Sequence, residues 1–407
     1  MAIGLSVGTF IIRYLGPEKL GILSFTGSFA GIFGILSTLG LDNIVIRELV
    51  KNPARKNQLL GSAFFIKIIG GIVAAMATIL AISVARQGDE IAMWLVAMSA
   101  VGFIFQSVNV IDFYFQAKVQ SKFSVYASTG SFLLVTSGKI VLMIVEAPLI
   151  AFAWAGLAEV ALTSCFLVLA YMNNHNSMRA WQYHRKVVRE LLSQSWLLSL
   201  SSLAIMIYMR IDQVMIGQML DDKAVGLFSA AVRISEMWYF VPMALASSVF
   251  PTIIASKKLS EAVYYARLQK LFTLMLWLAI SVAVFVTFFR KLIIELLYGA
   301  TYADSGIVLA IHVWAGTFVA LGVASSGWFI VENLQRLNFY RTLSGAIVNI
   351  ALNYLLIPKY GIAGAAVATV ASYGMAAFAF DILNHQTRRI FWMKIRAINP
   401  IHLIILK

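Results

Sequence analysis

Long apolar runs separated by brief polar turns set the pattern of this chain. Stretches rich in Leu, Ile, Val, Ala and Phe lie near 1–13, 23–45, 59–84, 91–111, 125–145, 148–171, 193–217, 226–253, 271–289, 304–330, 341–357 and 362–383. About 20 predominantly apolar residues in helix cross a hydrocarbon core roughly 30 Å thick. Such runs therefore predict an all-α polytopic membrane protein of about twelve transmembrane helices joined by short loops. The first run is the exception. The residues before Arg13 make only about 18 Å of helix, so a partial or truncated first helix is expected.

Composition agrees with the pattern. The chain is 60% hydrophobic and 12% charged, against about 25% charged in soluble domains. A net charge of +14 changes the picture once it is divided among the loops. One alternating set, with the C-terminal tail, holds 21 of the Lys and Arg residues, including Arg47, Lys51, Arg55, Lys56, Lys118, Lys122, Arg341, Lys394 and Lys407. The other set holds seven: Arg13, Lys19, Arg86, Lys223, Arg290, Lys291 and Lys359. This asymmetry places the first set and the C-terminus in the cytoplasm, and twelve spans then put the N-terminus there too. The excess of positive charge thus reports topology, not nucleic-acid binding.

The loops also limit the chemistry. The longest between spans is 172–192, too short for a nucleotide-binding domain. No Gly-rich phosphate loop, HExxH or Ser-centred elbow occurs. The expectation is no enzyme, no cofactor and no metal site. The single cysteine, Cys165, lies within a span and can form no intrachain disulfide.

An internal repeat is visible. Leu15-x5-Gly21-x2-Ser24 and Leu220-x5-Gly226-x2-Ser229 lie half a chain apart, at equivalent points of the topology. Six helices separate them, an even number, so the halves enter the membrane in the same sense. That predicts parallel repeats facing a central cavity. The domain organisation expected is 1–171, an N-terminal six-helix bundle; 172–192, a cytoplasmic linker; 193–384, a C-terminal six-helix bundle; and 385–407, a basic cytoplasmic tail.

Four cations remain inside the spans: Lys67, Lys139, Arg210 and Arg233. Each costs roughly 2.5–3.5 kcal/mol at a helix centre unless something negative meets it. Lys67, near the cytoplasmic end of its span, could instead snorkel to the interface. Lys139 has Glu159 of the next span as a candidate partner. Arg233 and Glu236 share a helix face and could neutralise each other. Arg210 and Asp212 point to nearly opposite sides of their helix and cannot pair well. Asp212, Glu236 and Glu159 are thus coupling acids for a proton or Na⁺, or structural partners. His312 reads as a hydrogen-bonded core residue before a proton relay. The clusters Trp238-Tyr239-Phe240 and Asp112-Phe-Tyr-Phe115 could stack on sugars, though interface packing is commoner.

Three passages carry a family resemblance: Arg13-Tyr-Leu-Gly-Pro-Glu-Lys-Leu-Gly21; Arg210-Ile-Asp-Gln-Val-Met-Ile-Gly217, continuing through Val225-Gly-Leu-Phe-Ser-Ala-Ala-Val-Arg233-Ile; and Asn349-Ile-Ala-Leu-Asn353-Tyr-Leu-Leu-Ile-Pro358-Lys-Tyr-Gly361-Ile-Ala-Gly364-Ala-Ala-Val-Ala-Thr369. The chain resembles the polysaccharide repeat-unit (O-antigen type) flippases of the multidrug/oligosaccharidyl-lipid/polysaccharide exporter superfamily. That resemblance implies a cargo of oligosaccharide on undecaprenyl diphosphate, moved across the bacterial inner membrane for O-antigen or another surface polysaccharide. Its partners would be the polyprenyl-diphosphate-linked oligosaccharide, membrane lipid, and a polysaccharide polymerase with its chain-length regulator. On this reading Arg210, Arg233, Lys139 and Lys67 line a cationic cavity and attract the diphosphate, Arg through planar bidentate donors and Lys as a point charge. Two other readings stay open. A cation-coupled multidrug exporter of the same superfamily fits less well with four intramembrane cations. A membrane polysaccharide polymerase is expected to carry a large outer loop, and the longest here is 290–303.

Overall fold

The computed structural model describes residues 2–400, and every regular element among them is helical. Two compact units result. The first contains most of α1 (Ala2–Thr38), then α2 (Asp42–Lys51), α3 (Lys56–Ala85), α4 (Glu90–Phe105), α5 (Val110–Ala117), α6 (Lys122–Ile144), α7 (Leu149–Asn173) and the greater part of α8 (Arg185–Met219). The second holds residues 16–21, the end of α8 from Ile211, and α9 (Asp222–Glu236), α10 (Phe240–Lys257), α11 (Glu261–Tyr298), α12 (Ser305–His312), α13 (Ala315–Val331), α14 (Gln335–Gly374), α15 (Phe380–Leu383) and α16 (Arg388–Arg396).

Among the described residues, ten continuous segments are long and apolar enough to cross a membrane. Two of them are broken. Gly16 (φ 71°, ψ 171°) divides α1, and Gly361 (φ 57°, ψ −141°) divides α14. Only glycine reaches such angles without strain, and a proline stands beside each break. Pro17 restarts the first helix at a position where its missing N–H costs nothing, and Pro358 weakens the second just ahead of Gly361. Counting each broken segment as two helices gives twelve, roughly consistent with the expectation of about twelve. Elsewhere the ends are set by caps: Asp89 accepts from the Ala92 N–H at 2.9 Å, Asp221 accepts from the Ala224 N–H at 2.7 Å, and Gly299 (φ 88°) closes α11.

The stretch 172–192 packs against its neighbours in the first unit. Its Trp181 indole donates to the Tyr171 hydroxyl at 3.1 Å, and the Gln182 N–H donates to the Asn57 carbonyl at 3.0 Å. Gly61 leaves the room for that approach, because a Cβ there would lie 2.6 Å from the Gln182 backbone. From Arg185 the chain is already helical, and the first unit runs on to Arg210. The tail is likewise packed. Ile390, Met393 and Ala397 join the buried cluster that includes Tyr264, Phe272 and Trp328 of α11 and α13. Lys407, counted with the basic tail, lies outside the described residues.

The two repeat glycines meet. A Cβ on Gly21 would fall 1.6 Å from the Asp222 carbonyl oxygen, and one on Gly226 would fall 1.7 Å from that of Pro17. Segment 16–21 belongs to the second unit for this reason. The sequence match marks a backbone-to-backbone contact that excludes any side chain.

Candidate functional site

The four intramembrane cations fall into two kinds. Lys67, on α3, is buried, with its ammonium 3.9 Å from Asp42 at the start of α2 and 5.0 Å from the centre of the Phe113 ring. Asp42 is itself exposed, so the buried stem carries the charge toward a solvated acid. Lys139, on α6, donates to Glu159 of α7 at 3.1 Å. Both lysines are therefore met by a carboxylate.

The arginines are not. The guanidinium groups of Arg210, near the end of α8, and Arg233, on α9, make no ion pair or hydrogen bond among the described residues. Arg210 is half-buried and Arg233 exposed. The helical spacing that puts Arg233 and Glu236 on one face does not bring them into an ion pair. Arg233 instead acts on the phenol of Tyr302: burial and Tyr298 push that group above its ordinary range, and Arg233 draws it back.

Asp212 points away from Arg210, as two residues of helix require, and enters a polar cluster buried against α14. Its carboxylate accepts from Asn353 Nδ2 at 2.5 Å and from Thr369 Oγ1 at 2.6 Å. Asn353 Nδ2 also donates to Asn349 Oδ1 at 3.0 Å, and Asn349 Nδ2 donates to Ser372 Oγ at 3.2 Å. All five side chains are buried. No cationic side chain pairs with Asp212 among the described residues, and Asn353 Oδ1 has no hydrogen-bond partner there. A buried carboxylate without a counter-charge is costly. With amide and hydroxyl oxygens around it, this cluster offers the hard donors that suit a proton or a small hard cation. Among the described residues no group of three or more His, Cys, Asp or Glu converges on a metal position. Asn349, Asn353 and Thr369 are the residues that sequence reasoning missed as a site. All three stood in the third resemblance passage, but nothing local showed that α14 would fold them onto Asp212.

A second buried network was also not foreseen. Arg341 and Lys394, counted with the cytoplasmic loops and tail, are both buried. Lys394 donates to Asp381 Oδ2 and to the Ala377 carbonyl, each at 2.6 Å, while Arg341 stands 3.9 Å from Asp381 Oδ1. Ala377 lies in the π-helical turn Met375–Ala379, where widened winding frees carbonyls from their usual donors. Lys394 therefore pins α16 to the end of the last span. His312 is a hydrogen-bonded core residue, its Nδ1 2.8 Å from Ser235 Oγ. Within the first unit a cleft of about 360 Å³ is lined by Thr26, Gly31, Ser99, Gln106 and Gly156 among others, and none of the four cations reaches it.

Comparison with known proteins fits this architecture. The polysaccharide biosynthesis protein family matches residues 2–257, and the MatE family matches 198–355. The chain is 24% identical over 387 residues to the probable low-salt glycan biosynthesis flippase Agl15 of Haloferax volcanii, spanning 90% of this chain and 76% of that protein. It is 21% identical over 376 residues to a Shigella flexneri protein assigned as an O-antigen transporter, spanning 88% of each. An inward-facing multidrug resistance MATE family transporter of the MOP superfamily superposes with a TM-score of 0.77 at 17% identity, covering 97% of this chain and 94% of that one. With one family matched over more than half its length and that fold beneath it, this multi-pass membrane protein belongs to the polysaccharide biosynthesis protein family and has the fold of the MOP superfamily transporters.

Proposed function

We propose that the protein is a flippase for lipid-linked oligosaccharides. It carries repeat units on undecaprenyl diphosphate from the cytoplasmic to the outer leaflet of a bacterial inner membrane, for O-antigen or a related surface polysaccharide, by alternating access. The observation that carries this reading is the pair Arg210 and Arg233, two guanidinium groups on membrane spans with no carboxylate partner among the described residues. Uncompensated cations in a bilayer are retained where they meet an anion, and a diphosphate matches the planar donors of arginine. Lys67 and Lys139 add positive charge to the same role, but each must be shared with its acid. Asp212 serves as the coupling acid, binding a proton or Na⁺. Glu159 holds Lys139, and Glu236 lies one turn from Arg233. Polymerase and chain-length regulator act on the delivered units.

The test is complementation of a flippase deletion, read by surface polysaccharide and by lipid-linked units stalled in the inner leaflet. The wild-type gene restores polysaccharide. The double variant Arg210→Gln/Arg233→Gln, expressed to the same level, loses at least about tenfold of it, the floor set by a single lost charge-assisted contact. A double variant that transports normally defeats the cationic mechanism. The MatE match over 198–355 favours a second reading, a cation-coupled multidrug exporter. Restored drug resistance without polysaccharide would select it.

A further inference from the structure

At one end of the first unit lies a recess that the proposed transport path does not use. It holds about 290 Å³ between Val50, Pro53, Lys56, Tyr114 and Lys118, at the ends of α2, α3 and α5. Lys56 stands in the first turn of the span Pro53–Ala85, and Lys118 follows directly on the span Glu90–Ala117. Both therefore sit at one membrane face, which is the cytoplasmic face in the topology read from the loop charges.

The recess gathers like charges. Lys56 and Lys118 both line it, although 62 residues separate them in sequence. No acid lines the recess. Lys56 donates to a neutral amide, Asn176 Oδ1, at 2.8 Å, and lies 5.3 Å from the centre of the Tyr114 ring. Lys118 is exposed, and its ammonium makes no ion pair or hydrogen bond among the described residues. Nearby Arg55 is already taken by Glu190 at 3.3 Å. The tyrosine is held in place, packed edge-on against buried Tyr171 at 5.3 Å. The two lysines thus line a hollow with no acid among the described residues on its wall.

The rim shows what faces it. Val50 is 59% exposed and Val119 is 92% exposed, the latter carried out on a turn with φ 57°. Bare apolar side chains beside lysines suit an interface where one contact is acyl chain and the next is phosphate.

We propose that Lys56 and Lys118, with the Tyr114 edge between them, bind the phosphoryl headgroup of a membrane lipid at this recess. Two sources share that chemistry: an anionic phospholipid of the bilayer, or the polyprenyl diphosphate of the proposed cargo waiting at the cytoplasmic surface. The second source rests on the flippase reading, and the first does not. The competing basic pocket around Arg389 and Arg396 is weaker, because Arg389 already pairs with Glu261 at 2.9 Å and stacks on Tyr265.

Native mass spectrometry of the full chain in detergent separates these sources. It is titrated in turn with phosphatidylglycerol, a short polyprenyl diphosphate and inorganic diphosphate, alongside Lys56→Gln/Lys118→Gln, Lys56→Arg/Lys118→Arg and, as a control, Lys51→Gln. The expected result is a loss of at least about tenfold in affinity for a lipid probe in the Gln pair. Affinity returns in the Arg pair and is unchanged in the control. Loss for phosphatidylglycerol alone assigns a bilayer lipid, and loss for the polyprenyl probe assigns the cargo carrier. Equal affinity of wild type and Gln pair for both lipid probes overturns the proposal, as does binding of inorganic diphosphate alone. A Gln pair that elutes as an aggregate is replaced by the single variants, each read in the same way. Because the readout is binding, it stands whether or not complementation supports the flippase reading.

Discussion

At the scale of single residues, the deciding feature is which charges the fold has already answered. Lys67 and Lys139 have carboxylates within 4 Å, whereas Arg210 and Arg233 have none among the described residues. Asp212 is the converse case, a buried anion served only by neutral donors. That arrangement makes a specific demand. Replacing Asp212 by Asn keeps the size but removes the charge and turns an N–H₂ toward groups that already donate, at a cost of about 1–3 kcal/mol in stability. The variant is expected to fold, to unfold at a lower temperature, and to transport without response to a proton or Na⁺ gradient. Proteoliposomes with imposed gradients measure this, and a variant that still follows one of them removes Asp212 from coupling.

At the scale of elements, glycine and a buried lysine set the geometry. Gly16 and Gly361 break two helices, and Gly21 and Gly226 let two backbones touch. Helix α16 is fixed differently. Burial pushes the Lys394 ammonium down to about 8; Asp381 resists that shift, and Arg341 adds to it. A released lysine holds its proton to about 10.5. Between those values the released helix binds more protons than the docked one, so docking strengthens as pH rises. Below pH 8 both forms are protonated, and the cost of burying the charge is fully present. Protection of the α16 amides, corrected for intrinsic exchange, should therefore rise about tenfold from pH 7 to pH 9. Hydrogen exchange of the full chain reads this. In Lys394→Gln the rise disappears, and a wild-type protein whose protection falls over that range contradicts the pairing.

At the scale of the whole molecule, the asymmetry of loop charge predicts an orientation that can be tested. Arg341 and Lys394 proved to be buried, yet the remaining loop cations still favour the same face by a wide margin. Reporter fusions should place the loops near Lys118, near Lys186 and after α16 in the cytoplasm, and the 290–303 loop outside. A reporter active outside when fused after α16 would reverse the assignment. It would also move the Lys56–Lys118 recess to the opposite leaflet.

The sequence by itself determined the class of molecule, its spans and its repeat. Those features follow from hydropathy over about 20 residues and from local turn chemistry, and neither needs to know what lies across the fold. Helix spacing alone also showed that Arg210 and Asp212 could not pair. Only the tertiary structure decided which acids and bases meet. Asn353 and Thr369 reach Asp212 across 141 and 157 residues, and Lys56 and Lys118 line one recess across 62. Position along the chain also misled for Arg341 and Lys394, which read as loop charges because they sit near span ends. Their burial depends on α16 folding back against α11 and α15. A charge in a sequence states its cost in a membrane; what answers it is set by neighbours that packing brings from elsewhere.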